Sequence, residues 1–202
     1  TDSGTFQSYI YGDVEVGVEE IVEFQRTIGV DIATMLDVFS RPDMTHAQVE
    51  HCVNETIERA AKSVVASQQT MLNGPIQGGL FKDLRTKSAK GMASFDFAVH
   101  PIGGIVPVME QHRYKDYAKI MLATLPYLPP ERPVHMFGCG HPMLFPMSIA
   151  LGADLFDSAA YALFARDGRL LTPWGTERIE SMVDWPMMMP CVASMTPLDV
   201  KA

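Results

Sequence analysis

Residues 70–85 read TMLNGPIQGGLFKDLR: a short apolar run ends on Gln77, passes through Gly78-Gly79 and enters a stretch of helical character that continues to Ser94. A run of strand length, a glycine turn and a helical period together make one strand-to-helix unit. The unit recurs on both sides. Upstream, VGVEEIVEFQRTIG (16–29) carries apolar residues at 18, 21, 22, 24 and 28 and closes on Gly29, as an amphipathic helix does. VDIATMLDV (30–38) is the strand after it, and Thr45 caps a helix reaching about Ala66. Downstream come strand FDFAVHPIGG (95–104), a helix from about Glu110 to Leu125, strand PVHMFGCG (133–140), a helix over 142–151 and strand ADLFDSA (153–159). Strands separated by helices at intervals of roughly 25 to 40 residues imply right-handed βαβ units in a parallel sheet. The expected fold class is α/β, a TIM (β/α)8-type barrel incomplete at its N-terminus. Five full strands and the end of one before Ser3 are legible, where a complete barrel has eight in about 250 residues. The expected division is a partial barrel catalytic domain over 1–180 and an irregular remnant over 181–202, whose Met- and Pro-rich WPMMMPCVASMTPLDVKA (185–202) has no clear period.

With 202 residues, 47% of them hydrophobic, the chain is large enough for one sizeable core. Its longest uncharged apolar stretch, Pro142 to Ala153, is too short to span a bilayer, and no basic-then-apolar signal segment opens the sequence. Three cysteines without close pairing argue against a disulfide framework. These features predict a cytoplasmic protein with no membrane partner. A net charge of −8 argues against a broad phosphate-binding surface, because Lys and Arg supply nucleic-acid affinity. The densest cationic patch is Lys82, Arg85, Lys87 and Lys90, the candidate RNA contact; a solvated helix face is the alternative.

Three strand ends carry a carboxylate: Asp2, Asp37 and Asp157. In a barrel of alternating strands and helices such ends converge on the mouth where chemistry is done. Taken singly, each suits a cap or turn equally well. Asp31, Asp96 and Asp154 lie near strand starts and are expected on the opposite, stability face. Gln77 precedes two glycines, and Gly103-Gly104 closes another strand, so a flat ligand can approach bare backbone there. Carboxylates, an amide and exposed N–H groups suit a heterocycle with donors and acceptors, such as a purine. The six histidines show no metal-ligand spacing, and Cys139 is read as a small core residue.

DSGTFQ (2–7), GPIQGGLFKDLR (74–85), HPIGGIVPVMEQHRY (100–114), MFGCG (136–140) and GADLFDSAAYALFARDGRLLTPWGTERI (152–179) resemble, in this order, the tRNA-guanine transglycosylase family in its archaeal form. Ala160-Tyr161-Ala162-Leu163 stands where bacterial and eukaryotic relatives carry Pro-Thr-Arg. The resemblance implies exchange of a guanine in the tRNA D-loop, at position 15, for 7-cyano-7-deazaguanine (preQ0) on the way to archaeosine. It implies Asp157 as nucleophile and Asp2 as general acid/base. Asp37 would read the N1–H and amine of the base, and Gln77 and Gly104 its O6. Ser3, Gly103 and Ile105 would complete the base pocket, with Phe6 and Phe137 sandwiching the base; ordinary packing is the alternative for the two rings.

The family also carries a structural zinc on a Cys-x-Cys-x-x-Cys motif and a later His. Here Met187, Met189 and Val192 stand at the three Cys positions, and thioethers and an alkyl group do not replace thiolates, so no zinc or other cofactor is expected. The expected partners are tRNA, guanine or preQ0, and a second chain or further segments completing the barrel, with a homodimer as one form. The alternative readings are a non-catalytic base-binding subunit and a DNA-acting deazaguanine transglycosylase.

Overall fold

The computed structural model describes residues 1–5, 12 and 16–181. In these, helices and strands alternate: α1 (Val18–Thr27), β1 (Ile32–Thr34), α2 (His46–Ser67), β2 (Met71–Asn73), α3 (Lys82–Met92), β3 (His100–Ile102), α4 (Val106–Glu110), α5 (Tyr114–Thr124), β4 (Val134–Met136), α6 (Phe145–Leu151), β5 (Leu155–Phe156) and α7 (Ala160–Arg166). A hairpin, β6 (Arg169–Thr172) and β7 (Gly175–Arg178), follows.

β1 pairs in parallel with β2, and β3, β4 and β5 form a second parallel set in that order. Parallel bridges Asn73↔Val99 and Ile76↔Ile102 join the two sets, so the strands lie side by side in chain order. The array is α/β and parallel, as the alternation predicts, but the five strands stay open: the described residues hold no closed barrel. Ladder pairing covers only two or three residues per strand of this array, and Gly74-Pro75 and Gly103-Gly104 directly follow β2 and β3. Pro101, inside β3, donates no hydrogen bond but accepts one from Ile76 N–H at 2.7 Å.

Two local features depart from the sequence reading. The helix expected from about Glu110 to Leu125 is α5, Tyr114–Thr124, and a further short helix, α4, precedes it; the two are parted at 111–113, where His112 takes a φ of +55°. The antiparallel hairpin β6–β7 was not expected at all; it turns through Pro173-Trp174 and pairs Leu170 with Glu177.

One main core joins Val22, Ala33, Met35, Leu72, Ile76, Phe97, Ile102, Met121 and Met136 from successive elements. α2 starts cleanly: Thr45 Oγ1 accepts from Gln48 N–H while Gln48 Oε1 accepts from Thr45 N–H at 2.9 Å, a reciprocal cap. His46 then meets Asp83 at 2.7 Å and packs edge-on against Phe81, docking the start of α2 onto the start of α3. Gln25 from α1 reaches the free side of β1, its amide donating to Thr34 C=O and accepting from Thr34 N–H, both at 2.8 Å. That amide stands in for a neighbouring strand just where the chain leads to Asp37. Among the described residues, no helix is long and apolar enough to cross a membrane.

Candidate active site

Because the strands run parallel, everything directly after them lies on one rim. Asp37 follows β1 by three residues, Gln77 follows β2 by four, and Gly103-Gly104 follows β3 directly. The structure ties these together by an unbroken hydrogen-bond chain. Gly78 and Gly79 N–H donate to Ser40 Oγ at 3.1 and 3.0 Å, and Ser40 Oγ donates to Gln77 Oε1 at 2.8 Å. Gln77 Nε2 then donates to Asp37 Oδ2 at 2.6 Å. The carboxamide is thereby oriented with its oxygen toward Ser40 and its NH2 toward Asp37 and the rim. A Cβ on Gly103 would lie 2.4 Å from Gln77 Nε2, and one on Gly104 2.9 Å from Ser40 C=O, with φ at +70°. Both positions therefore need glycine.

Asp37 is only 6% exposed. Burial pushes its carboxyl above the ordinary 3.8, against hydrogen bonds from Gln77 and Thr5 that lower it, and the nearby charge of Asp2 adds to the rise. Asp2 therefore stands close enough to be felt; its own Oδ1 accepts from Gly4 N–H at 3.2 Å. Ser3 is buried and shares a hydrogen bond with Thr5, whose hydroxyl donates to the Asp37 carbonyl at 3.3 Å. Asp2, Ser3, Asp37, Gln77, Gly103 and Gly104 thus form one neighbourhood.

Two sequence expectations change here. Arg85 does not belong to a cationic surface: it is 0% exposed, and its guanidinium donates to the carbonyls of Gly79 (2.9 Å), Ile76 (3.0 Å) and Gly103 (2.9 Å). Those carbonyls belong to the segments that follow β2 and β3, so Arg85 is the clamp beneath the rim. Burial pulls it down to about 9, which leaves it protonated at neutral pH. Ile105 is likewise fully buried in the main core, so its side chain offers no open surface. Lys82, Lys87 and Lys90 do remain exposed, Lys87 paired with Glu50 at 2.9 Å and Lys90 lying 4.7 Å over the Tyr127 ring.

Asp157 stands directly after β5, in a second neighbourhood. Its Oδ1 accepts from Gly138 N–H at 3.0 Å and meets His135 Nε2 at 2.9 Å. Burial raises its carboxyl, but the hydrogen bonds from His135 and Gly138 and the charge of His135 outweigh that, and the net effect is below the ordinary 3.8. Half-buried Phe137 packs edge-on against His135 at 4.9 Å. Asp157 lines an open pocket with Cys139, Gly140, Phe145, Phe156, Ser158 and Tyr161. The two neighbourhoods adjoin where the side chain of Val106, two residues past Gly104, packs on Gly138: a Cβ there would lie 2.4 Å from Val106 Cγ2.

Asp31, Asp96 and Asp154 all precede their strands. Asp96 pairs with Arg132 at 2.6 Å, and Asp154 accepts from Val134 N–H, at the start of β4, at 2.8 Å. Phe6, Met187, Met189 and Val192 lie outside the described residues. Among the described residues, no three His, Cys, Asp or Glu side chains gather as metal ligands. Sequence reasoning missed Ser40 and His135. His135 is two residues before Phe137 and so on the same strand face, a signal that was available.

A parallel α/β array with polar groups gathered on one rim defines the class. The family is then specific: residues 1–194 match Queuine tRNA-ribosyltransferase, and the chain belongs to that family. It is 49% identical over 207 residues to the tRNA-guanine(15) transglycosylase of Methanocaldococcus jannaschii, an overlap covering 99% of this chain and 32% of that protein. It is 50% identical over 188 residues to the protein of the same name from Methanococcus maripaludis strain C5 (91% and 29%), and 45% identical over 200 residues to that of Thermococcus kodakarensis (99% and 34%). The chain thus spans about a third of the length of the curated relatives it matches.

Proposed function

We propose that the protein acts as a tRNA-guanine transglycosylase of the archaeal kind, exchanging guanine at position 15 of the tRNA D-loop for preQ0. On this reading residues 1–180 contribute part of a (β/α)8 barrel, completed by further segments or a second chain, and 181–202 a remnant of the zinc subdomain. The work is cytoplasmic.

The observation that carries the reading is the pattern of donors and acceptors on one rim. The Asp37 carboxylate accepts from the N1–H and amine of guanine. Gln77 Nε2 has one N–H on Asp37 and a second left for O6, with bare Gly104 beside it. The base, flipped from its stack, presents C1′ to Asp157. A carboxylate oxygen of Asp157 forms a bond to C1′ as the C1′–N9 bond breaks, and Asp2 gives its proton to the departing base. The incoming base returns a proton to Asp2, its N9 takes C1′, and Asp157 is released. This is the two-carboxylate logic of retaining glycosidases, with an oxocarbenium-like transition state. The exposed Lys82, Lys87 and Lys90 take the tRNA phosphates.

The test is radiolabelled guanine exchange into tRNA by the complete protein. Asp157→Asn is expected to abolish exchange and the covalent RNA adduct while still binding guanine, since an amide has no ionised oxygen to attack with. Robust exchange by that variant would refute the mechanism. Guanine binding without exchange by wild type would move the protein to a base-binding role, and exchange into DNA alone to a DNA substrate.

A further inference from the structure

We propose that His135 is a positioning residue that selects which oxygen of Asp157 attacks; the inference rests on the reading of Asp157 as nucleophile. His135 Nε2 and Gly138 N–H both converge on Oδ1, at 2.9 and 3.0 Å. Among the described residues no donor reaches Oδ2, so these residues anchor one oxygen and leave the other open. A carboxylate oxygen that takes the Gly138 N–H and lies in ion-pair contact with the His135 ring nitrogen cannot turn away without losing both contacts, and the lone pairs of the other oxygen keep one direction.

The placement of His135 is itself fixed by the sheet. It lies at the centre of β4, between β3 and β5, opposite Leu155, with the next pair Met136↔Phe156; Asp157 comes one residue further on. Its side chain is 18% exposed against 57% for Asp157, and the Phe137 ring stands edge-on against it. The imidazole is thus wedged while the carboxylate it holds opens to the pocket. Cys139 and Tyr161 are the other titratable side chains lining that pocket. Neither is within hydrogen-bond reach of Asp157, and burial pushes the Cys139 thiol up, away from the acid range.

The experiment uses the complete protein with His135→Phe, which keeps ring volume without a donor, and His135→Gln, which keeps a donor of similar reach. Single-turnover guanine exchange into tRNA is measured from acid to neutral pH, with guanine affinity alongside. His135→Phe should slow exchange by about 10- to 100-fold, leave guanine affinity unchanged and move the acid limb of the profile to higher pH. His135→Gln should recover most of the rate at neutral pH. A wild-type rate and unmoved acid limb in His135→Phe would overturn the inference. So would His135→Gln as slow as His135→Phe, or loss of guanine binding in both, which would assign the residue to the fold. Asp157→Asn in parallel separates the two ideas: if it is dead while His135→Phe is normal, only the positioning role falls. If Asp157→Asn still exchanges, the nucleophile reading fails first.

Discussion

Asp37 and Asp157 are both carboxylates just past a parallel strand, yet they are prepared in opposite ways. Asp37 is 6% exposed, held by Gln77 and Thr5, and pushed above the ordinary carboxyl value; the Asp157 side chain is 57% exposed and drawn below it. Recognition of a base demands fixed acceptors in a dry setting, where an unpaired partner costs most. Attack on a sugar demands an ionised oxygen with room in front of it. The difference predicts that changes at the Asp37 end are felt in folding and base affinity, and changes at the Asp157 end chiefly in rate, with only a small effect on stability.

The largest expected effect is at Arg85. Arg85→Leu removes a donor from each of three carbonyls in the segments that follow β2 and β3. Ile76 C=O keeps the Gly103 N–H at 3.0 Å, so two carbonyls, of Gly79 and Gly103, are left without that donor; at about 1–3 kcal/mol for each, stability should fall by about 2 kcal/mol or more. Denaturant unfolding of the complete protein measures this, with Asp157→Asn expected within about 0.5 kcal/mol of wild type at neutral pH. Equal losses in the two variants would erase the contrast between the ends.

Next comes Asp37→Asn. The amide still accepts from Gln77 but presents a donor toward the guanine amine, so guanine affinity should fall by about 10- to 100-fold. The pH dependence sharpens the point. Asp37 is raised in the fold, so its contribution is fully present below the ordinary 3.8 and is lost as pH rises through the folded value. Asp157 is lowered, so its contribution is present above 3.8 and is lost as pH falls through its folded value. Stability profiles of Asp37→Asn and Asp157→Asn should therefore depart from wild type with opposite slopes; slopes of the same sign would contradict the assigned environments.

The same comparison separates what the sequence carried from what it did not. The strand ends were legible because an apolar run broken by glycine needs no tertiary information, and it put Asp2, Asp37, Gln77 and Gly104 in one neighbourhood. The length of each ladder was not, since rim residues leave the pairing to make side-chain bonds such as Ser40 to Gln77. Proximity in sequence does not set Arg85 apart from Lys82, Lys87 and Lys90. Its helical phase instead sets it with Leu84, Ser88, Ala89 and Met92, the buried face of α3. A cation on such a face implies buried acceptors, and the carbonyls of a glycine-rich turn supply them. The His135 to Asp157 contact joins residues 22 positions apart on neighbouring strands, and only sheet register brings them together.

With Arg85 removed from the cationic patch, three exposed lysines remain. Neutralising Lys82, Lys87 and Lys90 to Gln should lower the slope of log tRNA affinity against log salt by up to about one unit for each phosphate that is no longer neutralised. Guanine affinity should not change, since none of the three touches the Asp37 end. An unchanged salt slope would leave them as a solvated helix face, one lysine paired with Glu50 and another stacked on Tyr127.

The smallest expected effect probes whether the Asp37 end is held from within or by the helix behind it. Thr45 caps α2, and the segment between β1 and that cap carries both Asp37 and Ser40. Thr45→Ala loses the hydroxyl that accepts from Gln48 N–H, at a cost of about 1 kcal/mol in stability. Ser40 would still be fixed by four hydrogen bonds, to Gly78, to Gly79 and twice to Gln77, none of which uses the cap. Guanine affinity should therefore match wild type while the unfolding midpoint drops. If affinity fell together with stability, the rim would be positioned by the seating of α2, and the hydrogen-bond chain from the Gly78 and Gly79 amides to Asp37 would be a consequence of that seating.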